Sequence, residues 1–539
     1  MREGRVRVLD ASSKQAVRQT ILEHSDTLRH IPGFIEALPG FVIDNGQIVR
    51  EPGIVVYLAH KKPDSHTSRT EAAPRQLGPY RVTVMQADPY RQLLAYEDLR
   101  PIADALAEAS TSTLTYEPIE GDPIDERFEV DRPVVCHVGP DAGWPTLCPF
   151  LAATEKTLSV AMYDFNADYI AKTFIETISG RDVKAVLTWD DSMTAPETAI
   201  RARLKVALKE ELDGWIVKCG ANHRFASAYH EKVAVRDSTA FWLSSGNWSL
   251  RSQPDIDPIA NRKAAKGMYS KGNREWHVIV ENARLSAVFE RYIAHDRDGS
   301  REEAETGEDE AVLDRSPQER MPDLLVPIET VIGGFELAAS IADPVEPALL
   351  PASARAFEVQ PVLTPDNYLQ RLIELIGSAQ RSLYLQFAYI NYSEAAEDEP
   401  FRDMLKLLAD LSYRPGFDLR IILGSNGAAD KIRKLAETGF NDKVFRIQGN
   451  VHNKGIIVDG TAVLISSTNW SGDGVLRNRD AGVIIYDAEV AGYYRNVFLS
   501  DWNDRASAFL RDDQPVLIAT PGAETLAGMV RMSWRDYFG

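Results

Sequence analysis

Cysteine is scarce in this chain of 539 residues: Cys136, Cys148 and Cys219 are an odd number and show no metal-ligand spacing. A disulfide framework and a cysteine-rich metal centre are thereby excluded, and the three thiols are expected to be reduced and mostly buried. Long apolar runs are missing as well. No stretch approaches the roughly 20 apolar residues that a bilayer-spanning helix needs, and the opening MREGRVRVLDASSKQ lacks the apolar core of a secretory signal. The expected location is therefore cytoplasmic. Positive charge is not in excess either: a net charge of −19 argues against delocalised binding to nucleic acid or anionic membrane, while leaving room for a local basic cleft. With 44% hydrophobic and 26% charged residues, the composition excludes wholesale disorder and fibrous repeats.

What is present is length and an internal echo. At about 150 residues per domain the chain should hold about three units. Residues 1–130 read as a small α/β domain of unknown role, with a helix near 12–24 and a hairpin turn at Asp44, Asn45 and Gly46. From 145 to 296 helices and strands alternate, which implies a mainly parallel sheet covered by helices. An acidic, proline-rich stretch over 297–361 reads as a linker or loop. The same order of elements then recurs over 362–510, and a tail follows over 511–539.

The echo is sharpest in YHEKVAVRDSTAFWLSSGNW from Tyr229 and VHNKGIIVDGTAVLISSTNW from Val451. Without a gap, the two share His230/His452, Lys232/Lys454, Asp237/Asp459, Ser244/Ser466, Ser245/Ser467 and Asn247/Asn469. On a strand, residues two apart share a face, so histidine and lysine should project into one space, as should serine and asparagine on the returning strand. Histidine can attack phosphorus or transfer a proton near neutral pH, while lysine and amide donors stabilise charge growing on non-bridging oxygens. No cluster at metal-ligand spacing competes with this set, so no metal or other cofactor is expected. Asp237 and Asp459 stand at the strand-to-strand turn and are expected to be structural.

These segments resemble the paired HxK(x)4D(x)6GSxN motifs of the phospholipase D superfamily, over roughly residues 145–510. Ser244 and Ser466 depart from the pattern by standing where the motif usually has glycine. The resemblance implies an α/β fold of two fused phospholipase D-like α/β/α sandwich domains, a pseudo-dimer, beside the small N-terminal α/β domain. It further implies that an acid in an Asn-x-acid context orients each histidine: Glu275 after Asn273 and Arg274, and Asp480 after Asn478 and Arg479. It implies a metal-independent phosphodiesterase acting on phospholipid headgroups through a phosphohistidine, by hydrolysis or by transfer to an alcohol, with His230 as nucleophile and His452 as acid. The residues themselves leave the order of the two histidines open. A nuclease or nucleic-acid end-processing enzyme would use the same paired site. The first copy also has a longer connection between Trp248 and Asn273 than the second has between Trp470 and Asn478, and it carries Arg251, Arg262, Lys263, Lys266 and Lys271. That cluster is a candidate for gripping substrate phosphates. The expected partners are a phospholipid or other phosphodiester and a transient membrane surface, with nucleic acid as the alternative substrate and the chain acting as a monomer.

Overall fold

The computed structural model describes residues 7–61, 72–121, 123–191, 193–306, 321–328, 343–353, 355–510, 515–519 and 525–538. Two eight-stranded sheets dominate a mixed α/β fold. In the first, the strands lie in the order Leu212–Val217, Lys184–Asp190, Thr157–Met162, Lys232–Arg236, Ala240–Ser244, Glu275–Glu281, Val134–Gly139 and Ala348–Leu350. In the second, the order is Phe445–Gln448, Asp418–Gly424, Ser382–Phe387, Lys454–Val458, Ala462–Ser466, Asp480–Tyr486, Phe357–Thr364 and Phe128–Val130. The orders match strand for strand.

The expectation of a mainly parallel sheet is corrected. Only the three strands at one end of each sheet run parallel, and the remaining pairings are antiparallel. The reason is local: Lys232–Arg236 joins Ala240–Ser244, and Lys454–Val458 joins Ala462–Ser466, through turns too short for the long crossover that parallel neighbours require. Asp237 and Asp459 make those turns at φ of 53° and 52°, a left-handed conformation that aspartate tolerates better than most residues. Each carboxylate also accepts backbone N–H groups from the start of the neighbouring strand, Glu155 to Thr157 in one case and Gln380 to Ser382 in the other.

The edge strands are exchanged. Phe128–Val130 precedes the first copy of the repeat but pairs with Phe357–Thr364 of the second sheet. Ala348–Leu350 precedes the second copy but pairs with Val134–Gly139 of the first. The expected linker over 297–361 thus contributes regular elements: Ala283–Thr306 is one helix, and Leu324–Pro327 is the middle strand of a three-stranded sheet whose flanks are Leu517–Ile518 and Met529–Met532. The rest of that stretch, 307–320, 329–342 and 354, lies outside the described residues.

Helices cover the outer face of each large sheet, Gly143–Ala152, Asp168–Ile178 and Ala195–Leu208 on the first, and Tyr368–Gly377, Glu399–Leu411 and Ala428–Glu437 on the second. Between the sheets lies one shared core, with Val278 and Leu243 from the first, Val483 and Ile465 from the second, and Phe289 and Phe498 from the helices Ala283–Thr306 and Ala488–Ser500. Burial on both faces explains why strands such as Asp418–Gly424 read as near-continuous apolar runs.

The N-terminal helix Ala11–Glu23 packs on a four-stranded sheet, and Asn45 and Gly46, both at positive φ, close its first hairpin between Asp44 and Gln47. The other face of this sheet joins the second copy: Val55, Tyr57 and Met85 are buried in the same core as Leu435 and Phe440, and Tyr57 donates to Asp430. Among the described residues no helix is long and apolar enough to cross a membrane.

Candidate active site

Both histidines stand two residues before the strands that begin at Lys232 and Lys454. What fixes them is a pair of reciprocal bridges. Arg479, leading into the strand of Asp480, runs parallel to Tyr229, with the His230 N–H donating to the Arg479 carbonyl at 2.7 Å and the Arg479 N–H to Ala228 at 3.1 Å. Arg274, leading into the strand of Glu275, pairs likewise with Val451: its N–H donates to Asn450 at 2.7 Å, and that of His452 to the Arg274 carbonyl at 3.2 Å.

Each acid therefore lands beside the histidine of the other copy. His230 Nδ1 meets Asp480 Oδ1 at 2.7 Å, and His452 Nδ1 meets Glu275 Oε1 at 2.6 Å. The carboxylate occupies Nδ1 in both, which leaves Nε2 as the atom for chemistry. The serines stand behind the acids. Ser245 Oγ donates to Glu275 Oε2 at 2.6 Å and Ser467 Oγ to Asp480 Oδ1 at 2.7 Å, so these hydroxyls, expected to face the reacting volume, hold the acids instead. Glu275 receives a further bond from Ser252 at 3.0 Å. Gly246 is required here, because a Cβ would meet the Glu275 carboxylate at 2.7 Å.

The lysines curl back on their own histidines. Lys232 Nζ donates to the His230 carbonyl at 2.9 Å, and Lys454 Nζ donates to the His452 carbonyl at 2.7 Å and lies 2.9 Å from His452 Nε2. Asn247 and Asn469 are buried just beyond the strand ends, and their Oδ1 atoms have no hydrogen-bond partner among the described residues. Ser244 accepts from the Gly246 N–H at 2.7 Å and meets His277 Nδ1 at 2.6 Å, and Ser466 accepts from Thr468 N–H at 3.0 Å. Both therefore brace the loop after their strand.

Burial makes this an expensive place for charge. It pushes His230 down to about 4, with Lys232 adding to the effect and Asp480 opposing it. His452 is lowered for the same reason, with Glu275 opposing. Lys454 falls to about 8 through burial, against the pull of Glu275 and Asp480, while burial and Lys454 hold Lys232 well below the ordinary range. Burial would raise Glu275, but His452, through charge and hydrogen bond, and Lys454 more than offset it and bring it to about 2. Two neutral imidazoles and two destabilised ammonium groups would all gain from a neighbouring negative charge.

The two arginines of the Asn-Arg-acid segments were not singled out by motif reasoning, although their repetition was a visible signal. Arg274 bonds Asp141 at 2.6 Å and Asp501 at 2.9 Å, and Arg479 bonds Asp296 at 2.7 Å and Asp366 at 2.6 Å. Each thereby joins one carboxylate from the first copy to one from the second. The basic connection folds as a helix, Arg262–Tyr269, capped by Asn261 and held by Tyr269, whose hydroxyl donates to Asp141 at 2.7 Å. Arg251 reaches Asn450, close to His452, whereas Arg262, Lys263, Lys266 and Lys271 are exposed, and Arg262 pairs with Asp343. Among the described residues the one group spaced as metal ligands is Asp190, Asp191 and Cys219, and Asp190 there already accepts from the Tyr229 N–H and faces Arg535.

Residues 372–502 match the family described as cardiolipin synthase, PLD-like domain. The chain is 27% identical over 163 residues to the mitochondrial cardiolipin hydrolase of Xenopus tropicalis, an alignment covering 30% of this chain and 71% of that protein. Among solved structures it is similar to a phosphatidylserine synthase from Haemophilus influenzae, with 11% identity, a TM-score of 0.42, and coverage of 75% of this chain and 91% of that one. It is also similar to Nuc, a phospholipase D family member from Salmonella typhimurium, with 22% identity, a TM-score of 0.23, and coverage of 28% and 97%.

Proposed function

We propose that this chain, in keeping with its likeness to the phospholipase D superfamily, is a phosphodiesterase that cleaves phospholipid headgroup esters, working as an internal pseudo-dimer whose halves each supply one histidine to a single site. The observation that carries this reading is the crossed pairing of His230 with Asp480 and of His452 with Glu275, which ties a histidine of each copy to an acid of the other.

In the first step His230 Nε2 attacks phosphorus, the bond to the leaving alcohol breaks, and His452 Nε2 delivers the proton that the alkoxide needs. His452, protonated as the anionic substrate raises its basicity, is stabilised as imidazolium by Glu275, and His230 by Asp480 once its nitrogen carries phosphorus. In the second step His452 takes a proton from water, the water oxygen attacks phosphorus, and the phosphorus–nitrogen bond breaks to release a phosphomonoester and neutral His230. An alcohol in place of water yields the transfer product. Lys232, Lys454 and the two asparagines bind the non-bridging oxygens throughout.

The relative acting on cardiolipin and the matched family support the lipid reading over the nucleic-acid one. Two exposed apolar side chains, Leu250 and Ile259, lie in the same connection as the basic helix, which suits a surface that touches a bilayer. The test is a side-by-side assay of phosphatidylglycerol and cardiolipin vesicles, DNA, RNA and a soluble bis-arylphosphodiester, run with chelator, with samples quenched in detergent at alkaline pH and examined for label on His230. We expect lipid turnover and base-stable label on His230. Neutralising Arg262, Lys263 and Lys266 together should spare the soluble diester and weaken anionic-vesicle binding by about 1 kcal/mol per charge. Turnover of nucleic acid alone, or label on Ser245, would overturn the reading.

A further inference from the structure

The chain's C-terminal segment reaches the candidate site. Met529–Met532 pairs with Leu324–Pro327, which pairs in turn with Leu517–Ile518, and Gln92 of the N-terminal region bonds both the Val516 carbonyl and the Ile518 N–H. The helix Trp534–Phe538 follows directly. Trp534 is buried with its edge against Tyr90 at 4.7 Å, and the Tyr537 carbonyl accepts from Asn426 of the second copy at 2.9 Å. Three parts of the chain thus hold this helix in place.

Its Arg535 is buried and points into the first copy. The guanidinium lies 3.7 Å from the centre of the Tyr163 ring and forms ion pairs with Asp190 at 3.4 Å and Glu197 at 3.6 Å. Both contacts lead to His230. The Tyr163 ring meets the His230 ring edge to face at 4.5 Å and has Lys232 Nζ 5.0 Å from its centre. Asp190 Oδ2 accepts the N–H of Tyr229, the residue directly before His230. The second copy has Ala388 where the first has Tyr163, directly after the strand paired with that of the lysine.

We infer that Arg535 is a positioning residue for His230, and that the C-terminal segment is a working part of the active site which sets the ring's placement and the charge around it. The guanidinium fixes Tyr163 by stacking and the Tyr229–His230 backbone through Asp190. It also places a fixed positive charge behind Lys232, whose ammonium feels it. The other groups facing His230 are Asp480, Lys232, Lys454 and the Tyr163 phenol. Removing the guanidinium takes away a cation and its ion pairs with Asp190 and Glu197, and both changes favour the protonated imidazole.

This role rests on the phosphodiesterase reading for its kinetic arm, so the experiment carries a second arm that needs no turnover. In the full chain, Arg535→Gln should lower kcat on a soluble bis-arylphosphodiester by roughly ten- to a hundredfold, the scale of a misplaced reacting group, with KM little changed. The acidic limb of its pH profile should move to higher pH. Arg535→Lys, which keeps the charge, should recover the pH profile and part of kcat. Independently, carbon-13 NMR of labelled histidines, with His230→Ala for assignment, should show the His230 midpoint rising in Arg535→Gln and holding in Arg535→Lys. Tyr163→Leu breaks the stacking without orphaning a buried charge and should reproduce the kcat loss if Arg535→Gln does not fold. A folded Arg535→Gln protein with an unchanged His230 midpoint, or a Tyr163→Leu protein with wild-type kcat, overturns the inference. Absence of turnover in the wild type would instead count against the phosphodiesterase reading and leave the NMR arm to decide this one.

Discussion

His230 and His452 each carry a carboxylate on Nδ1, at 2.7 and 2.6 Å, yet the two rings stand against different walls. The first copy surrounds its histidine with Tyr163 and, through it, Arg535. The second lies beside the basic connection, where Arg251 reaches Asn450. The first copy also buries a stacked pair, His137 and His277, where the second has Val362 and Gly482 in the corresponding strand positions. Even the acids differ: among the described residues Glu275 is bonded by Ser245 and Ser252, and Asp480 by one serine, Ser467. The reacting groups are thus nearly symmetric while their supports are not. A site built from two copies can assign its two histidines different tasks only through such supports.

The acids should show the comparison most strongly. Glu275→Gln and Asp480→Asn are each expected to lower kcat by about 10³- to 10⁴-fold, the scale seen when the carboxylate orienting a catalytic histidine is neutralised. Because the pairing is crossed, Glu275→Gln should change the titration of His452 and spare His230, and Asp480→Asn the reverse, as histidine NMR can read. An effect of each acid on the histidine of its own copy would break the crossed arrangement.

Next in size is the reciprocity of the arginines. Arg274→Ala and Arg479→Ala each strand two buried carboxylates, and each should destabilise the protein by about 3–5 kcal/mol in denaturant unfolding. Similar losses would show that both junctions bear comparable weight. A large loss for one only would mean that the two copies are joined mainly at that end.

The smallest effect separates the histidines by their appetite for protons. In the empty site burial keeps both imidazoles neutral at neutral pH, His230 down to about 4, and a bound anion favours their charged forms. Bound protein therefore holds more protons than free protein. Sulfate, whose charge is constant over this range, should bind more tightly as pH falls from 7 towards 5, by up to about tenfold per pH unit for each proton taken up. Affinity should also fall as pH rises through about 8, where Lys454 loses its proton. Calorimetric titration of His230→Ala and His452→Ala would assign the uptake, and a pH-independent affinity would contradict the neutral resting state.

Much of this was legible in the residues. The repeated His-x-Lys and Ser-x-Asn spacings marked which side chains the fold gathers, the Asn45–Gly46 pair marked a hairpin, and the aspartates at 237 and 459 marked tight turns, because each of these depends on neighbours in sequence. The crossing of Glu275 and Asp480 did not, since an acid's partner is decided by how the two copies meet, and no periodicity encodes that. The same holds for the mixed sheets, for Ser245 and Ser467 turning to the acids, and for Arg535, one of three arginines in a tail that carries no motif. Ala348–Leu350 lay within an acidic, proline-rich stretch whose composition concealed three residues of sheet.

The exchanged edge strands impose an order on the making of this protein. A ribosome that has released the whole first copy has not yet released Ala348–Leu350, so the first sheet must wait with an open edge, while Phe128–Val130 waits far longer for the sheet that it will join. Glu275 likewise emerges well before His452, and the last pieces of the His230 environment only when residue 535 is free. Pairings so distant along the chain form slowly and leave unpaired edges exposed in the meantime. The consequence is temporal: the pairs His230–Asp480 and His452–Glu275 can both close only after the second copy has emerged as far as Asp480.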